Sequence, residues 1–228
     1  MKSVFALFIA MLAFAHAATA ETVEVAPGVQ VTKKAYPVPE NEQPFFGFSI
    51  KTSAQHDADD KFVAQVVQLS GSRQQALEAA LKRGWGALLA GDVITASRRF
   101  NQAYLIAPEQ SGIYHAFGAL VQMRFNDIDY ADELLRIALK QPKPAESLRA
   151  DYGRMLLIAR RPADARPILE QAVVDTPKSG NTWSNLAFAR LQTGDRTGAC
   201  AAASEAEKLV NLDNVISDIV LLKREGKC

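Results

Sequence analysis

Few residues in this chain could carry out chemistry. Beyond residue 20 there are two histidines, His56 and His115, and two cysteines, Cys200 and Cys228. The run His56-Asp57-x-Asp59-Asp60 places an imidazole and three carboxylates close together, and such donors can hold a cation weakly. The same acids suit the solvated start of a helix, where negative charge meets the positive end of the helix dipole. The helix reading is adopted, so no metal and no cofactor are expected. His115 lies far from His56 in sequence. The chain contains no H-E-x-x-H, C-x-x-C, C-x-x-C-H or G-x-S-x-G and no phosphate-binding loop. An enzyme is not expected.

What has to be positioned is therefore a surface. Gly84, Ala96, Phe100, Ala103 and Pro108 recur as Gly153, Ala165, Leu169, Ala172 and Pro177, every member 69 residues further on. Sixty-nine is two periods of 34 plus one. Between them lie Tyr114, Phe117-Gly118, Ala131, Leu135 and Ala138, with the odd residue assigned to the turn Phe125-Asn126-Asp127-Ile128-Asp129. A last set has Trp183, Leu186, Gly194-Asp195, Ala199, Ala203 and Ala206. Gly84, Gly118 and Gly153 fall mid-helix, where Gly costs about 1 kcal/mol relative to Ala. That cost is tolerable where a bare backbone lets a second helix come close. The small Ala96, Ala131, Ala165 and Ala199 serve the same end from the other helix, and Phe100, Leu135 and Leu169 fill the space. Pro108 and Pro177 end helices, because the residue before proline is driven out of the α region.

This pattern resembles the tetratricopeptide repeat (TPR), a 34-residue helix–turn–helix unit. The resemblance implies an all-α, right-handed α-solenoid of four units, at 77–110, 111–145, 146–179 and 180–213, with a capping helix and tail over 214–228. It also implies a concave groove lined by the first helix of each unit, which binds a protein or peptide. Carried over position by position, Trp85, His115, Met123, Arg154 and Phe188 are the groove candidates. One subgroup of the family grips a C-terminal carboxylate, but the matching places here hold Leu81, Trp85, Ala116, Ser147 and Asp151. That clamp is absent.

Compartment is read from the first twenty residues. Met1-Lys2-Ser3, the apolar run from Val4 to Phe14 and Ala18-Thr19-Ala20 make a secretory signal, with cleavage expected after Ala20. The apolar run is too short to span a bilayer. Export to a periplasm is expected, without membrane insertion after cleavage. Removal of the signal takes Lys2 and no acid, leaving 25 basic against 25 acidic residues. That balance gives no reason to expect nucleic acid as a partner. In an oxidising compartment Cys200 and Cys228 suggest one disulfide, stapling the tail to the last unit; a buried Cys200 beside a free Cys228 is the other reading.

Residues 21–57 read as an extended arm containing Pro27, Pro37, Pro39 and Pro44. Val23, Val25, Val29 and Val31 alternate as in a strand, but Pro27-Gly28 interrupts them, and an isolated hairpin is marginal in water. Phe45, Phe46 and Phe48 are expected to dock on the repeats or on a partner. A short helix is expected over 58–70, opened by Asp57, Asp59 and Asp60. Three functional expectations follow. The first is a periplasmic scaffold or adaptor in envelope, pilus or secretion assembly. The second is a structural module whose groove holds its own arm, the three phenylalanines lying against Trp85. The third is a non-catalytic accessory subunit of an exported enzyme complex.

Overall fold

The helices begin where a short polar side chain can accept an N–H that the helix leaves unpaired. Ser72 accepts from Gln75, Asp92 from Thr95, Asp127 from Tyr130 and Ser179 from Thr182. These caps open four of the helices in a computed structural model that describes residues 21–209 and 213–228. The expected signal peptide and its cleavage site lie outside the described residues. The array consists of α2 (Arg73–Leu89) with α3 (Val93–Ile106), α4 (Ser111–Phe125) with α5 (Ile128–Lys140), α6 (Leu148–Ile158) with α7 (Pro162–Asp175), and α8 (Gly180–Gln192) with α9 (Arg196–Leu209). It is preceded by α1 (Ser53–Ser70) and followed by α10 (Asp213–Gly226).

Each pair turns through one left-handed residue at the equivalent place: Gly91, Asn126, Arg160 and Gly194. Asn126 stands five residues before Ala131, as Gly91 does before Ala96. The turn of the second unit thus has the ordinary length. The odd residue belongs to the end of α4, not to the turn where the sequence placed it.

The mid-helix glycines sit where close approach demands them. A Cβ at Gly84 would stand 2.3 Å from Phe100 Cε1, one at Gly118 2.9 Å from Leu135 Cγ, and one at Gly153 2.4 Å from Leu169 Cγ. In every case the obstructing side chain comes from the second helix of the same unit. The largest fully buried side chains, Tyr114, Tyr130, Phe100 and Phe117, belong to the first two units. Helix α4 is buried on nearly all sides from Ile113 to Val121, as expected of a helix that is apolar all round. First helices meet across units, α2 touching α4 and α6 touching α8, and no comparably close contact joins the second helices. The first helices therefore line the inner side and the second helices the outer side.

The N-terminal arm departs from the extended reading. Thr22–Ala26 (β1) and Val29–Thr32 (β2) form an antiparallel hairpin across Pro27-Gly28, with Gly28 at φ 75° and a bulge between Glu24 and Ala26. Proline presets the first turn position, and the glycine supplies the positive φ that the second needs. The hairpin is held because it packs on α5, with Val25, Val29 and Val31 buried. Helix α1 begins five residues ahead of expectation. Its start is set by a capping box between Thr52 and Gln55 and not by the aspartates, which lie beyond its first turn. At the other end, Ile219 and Leu222 of α10 are buried, and Cys200 and Cys228 are joined in a disulfide.

Candidate functional site

The arm and the inner face of the array are separate surfaces. Between β2 and α1 the chain makes two short 3-10 turns, Glu40–Glu42 and Pro44–Phe48. Phe45, Phe46, Gly47 and Phe48 all have φ between 54° and 64°. Left-handed backbone costs a non-glycine residue about 1–2 kcal/mol, so the contacts of this segment must hold it there. Phe45 is buried between units, with its ring centroid 4.6 Å from Phe117 and 5.2 Å from Tyr104. Phe48 lies 5.6 Å from Phe45, and Phe46 lies under the Lys51 ammonium at 3.9 Å. None of the three rests on Trp85, so the reading in which the arm fills the groove is corrected.

Polar contacts fix the same segment. Buried Glu42 accepts from Arg124 at 2.7 Å and from Arg98 at 2.8 Å. The Arg124 guanidinium holds the Glu42 carboxyl below its ordinary range, against the opposing effect of burial. Asn101 donates through Nδ2 to the carbonyls of Gln43 (2.7 Å) and Asn41 (3.1 Å), and its Oδ1 accepts the Phe46 N–H at 3.2 Å. Tyr36 stacks on Phe125 with ring centroids 3.8 Å apart, and its hydroxyl donates to Asp127. Burial and the Asp127 charge raise the Tyr36 pKa. Arg98, Asn101 and Tyr104 lie on α3, Asp127 lies in an inter-helix turn, and Phe117, Arg124 and Phe125 lie on α4, but the backbone of the arm packs on the second helices α3 and α5. The arm is thus held on the outer side.

The inner face is left uncovered by it. Trp85 of α2 is half-buried, with Phe100 at 5.6 Å and His115 at 4.9 Å between ring centroids. His115 departs from its assignment as an open groove group. Trp85 covers its ring, only 4% of the residue is exposed, and Nε2 lies 3.1 Å from Asp151 Oδ2 on α6. It ties the second unit to the third. Met123 is 54% exposed at the end of α4. Leu89 and Ile158 occupy the equivalent ends of α2 and α6 and are also exposed, so three consecutive units present an apolar residue at one place. Arg154 is exposed and has no ion-pair partner among the described residues. With Asn181, Asn185 and Asp218 it lines a hollow of about 280 Å³. Phe188 is half-buried beside a second hollow of about 490 Å³ that it shares with Leu191 and Leu221.

Sequence reasoning missed the clasp residues Tyr36, Glu42, Asn101 and Arg124. Asn101 carried the one available signal, a polar residue directly after Phe100 on the packed side of its helix.

One further polar cluster joins units instead of forming a site. Tyr152 donates to Asp132 at 2.5 Å, and Arg161 contacts the same carboxylate at 3.0 Å. Burial alone would raise the Asp132 pKa, yet these contacts bring it below the ordinary value, while burial and the same carboxylate push the Tyr152 hydroxyl up to about 12.

No protein-family model matches the chain, and no curated protein matches it. Solved structures do. Pseudomonas aeruginosa PilF is 24% identical over 68% of this chain and 71% of its own, with a TM-score of 0.60. PilW, a widely conserved type IV pilus biogenesis factor, is 15% identical over 77% of this chain and 87% of its own, at 0.56. YrrB, a TPR protein with an unusual peptide-binding site, is 11% identical over 72% and 84%, at 0.54. The chain has the fold of a tetratricopeptide-repeat solenoid.

Proposed function

We propose that this chain, with its tetratricopeptide-repeat fold, is a scaffold that holds a peptide or a partner protein on its inner face. One observation carries the reading: the arm is locked to the outer side by Glu42, Asn101 and Phe45, while Met123, Ile158 and Arg154 stay exposed on the inner side. A partner that lays apolar side chains on the Leu89, Met123 and Ile158 row and a polar group near Arg154 suits this surface. Aromatic, Met and Arg side chains are the types that interfaces favour. The leader-like first twenty residues support a place in the periplasm. The fold shared with PilF and PilW supports a role in envelope, pilus or secretion assembly.

Met123→Asp combined with Arg154→Glu tests the site in a pull-down from the native cell. Loss of the captured partner with an unchanged circular dichroism melt is expected, and undiminished capture would move the site elsewhere. Sequencing of the secreted chain should find Glu21 at its N-terminus. A start at Met1 would contradict export by cleavage.

A further inference from the structure

The hairpin has two outer edges, and they differ. On β2 the Thr32 N–H points away from β1 and donates to Glu133 Oε1 at 2.6 Å, so α5 closes that edge. The outward groups of β1 follow from the register. Lys33 N–H donates to the Glu21 carbonyl at 2.8 Å, which makes these residues a hydrogen-bonded pair. Pairs alternate along an antiparallel ladder, so Val23 and Val31 bond next, while Thr22 and Glu24 turn their N–H and C=O groups away from β2. Among the described residues those main-chain groups have no partner.

A cavity of about 480 Å³ runs along this edge. Val23, Glu24 and Val25 all line it, and no residue of β2 does. Val23 and Glu24 lie in the regular part of the strand and point to opposite faces, so a hollow touched by both lies at the edge of the strand and not over one face. Val25 sits in the bulge, and its carbonyl accepts from the Tyr104 hydroxyl at 2.8 Å. Helix α1 forms the far wall with Asp60 and Val63, and Phe48 forms part of the floor. Ile50, 99% exposed, stands at the rim. Asp59 is taken by Lys51 at 2.5 Å, whereas Glu24 and Asp60 have no cationic partner among the described residues. The slot is a strand edge facing mixed walls, apolar at Phe48 and Val63 and polar at Ser49, His56 and the Lys51–Asp59 pair. It holds the two carboxylates that lack a cationic partner, Glu24 Oε1 accepting the Gly28 N–H at 2.8 Å.

We propose that β1 accepts an added strand from a partner protein, an extended segment of alternating basic and apolar residues. Its main chain pairs with Thr22 and Glu24, its cations face Glu24 and Asp60, and its apolar side chains rest on Phe48, Ile50 and Val63. In strand addition the main-chain bonds supply affinity, and the sites for alternate side chains supply selectivity. No inner-face residue takes part, so this site and the scaffold site stand or fall separately.

The probe is a fluorescein-labelled Lys-Val-Lys-Val-Lys peptide with blocked ends, titrated onto the full mature chain by anisotropy. Saturable binding is expected. It should weaken at least tenfold when alternate peptide amides are N-methylated, which keeps charge and side chains but removes strand pairing. The Glu-Val-Glu-Val-Glu counterpart should not bind. Glu24→Lys with Asp60→Lys should also lose at least tenfold with an unchanged melting curve, while Arg154→Glu should bind as the parent does. In ¹⁵N spectra the Thr22 and Glu24 amides should shift and their exchange should slow. Equal affinity for the N-methylated peptide, absence of saturable binding, or amide shifts confined to other residues would each overturn the proposal.

Discussion

Gly84 and Gly86 lie two residues apart in α2, and an added methyl group should act in opposite directions at them. At Gly84 the new Cβ would stand 2.3 and 2.5 Å from two carbons of the Phe100 ring, which is itself fully buried. Carbon atoms prefer separations of about 3.5–4.0 Å, so ring or helix has to move by more than an ångström. Overpacking of this kind costs about 1–3 kcal/mol, and the depth of the overlap puts Gly84→Ala in the upper half of that range. Replacing a mid-helix glycine by alanine returns about 1 kcal/mol, leaving a net loss of roughly 1–2 kcal/mol. At Gly86 nothing beyond the neighbouring residues and the helix's own backbone lies within 4 Å of the added Cβ, so only the helical gain of about 1 kcal/mol remains. With a urea slope of about 2 kcal/mol/M, the unfolding midpoint should fall by roughly 0.5–1 M for Gly84→Ala and rise by about 0.5 M for Gly86→Ala. Removing the obstacle supplies the control. In a Phe100→Ala background the penalty of Gly84→Ala should shrink, a coupling of about 0.5–3 kcal/mol for residues in contact. Midpoints that move in the same direction for both glycines, or a penalty unchanged without the ring, would refute the claim that close helix approach requires Gly84.

Three further outcomes follow from the arm and the cap. Glu42 has its pKa lowered by its arginines, so its contribution is present above the unfolded-state value and is lost as pH falls through the folded one. The stability gap between the wild-type chain and Glu42→Gln, measured by urea titration, should therefore close on acidification from about pH 6 to about pH 3; a gap that widens would reverse the sign. Phe45→Ala should cost about 3–5 kcal/mol through loss of a buried ring. Phe45→Gly should be milder by about 1 kcal/mol because the left-handed backbone suits glycine, and an alanine variant as stable as the glycine one would contradict this. Removing the disulfide with Cys200→Ser and Cys228→Ser opens a loop whose ends are 28 residues apart, a loss of about 3–4 kcal/mol on chain-entropy grounds. Mass spectrometry of the unreduced chain that finds both thiols free would remove the bond from the account.

The repeats were legible because their determinants are local and periodic. Gly84, Gly118 and Gly153 each meet a large residue from the helix that follows them, so spacing alone exposes the pairing. The arm obeyed no period. Pro27-Gly28 was read as an interruption, although the same two residues make the hairpin turn once α5 supplies a surface for Val29 and Val31. Its clasp joins Glu42 to Arg124 across 82 residues and Phe46 to Asn101 across 55, separations at which no sequence pattern links two side chains. The aromatic run was conspicuous as sequence, but its left-handed backbone, and with it the choice of Tyr104 and Phe117 over Trp85, depends on tertiary contacts. On the inner face, Met123 and Arg154 are exposed at the places the repeat phase marks for them. His115 is covered because Trp85 and Asp151 converge on it from neighbouring units, which the phase of one helix does not reveal.

The central claim is that the scaffold's partner meets the inner face, the side that the arm leaves uncovered. A photoreactive amino acid placed singly at Met123 or Ile158 on the inner side, and at Ile94 or Val174 on exposed outer positions, tests it in the producing cell. The account predicts that one partner protein is captured from both inner positions and from neither outer one. Capture of that partner from Ile94 or Val174, with none from Met123 or Ile158, would contradict it.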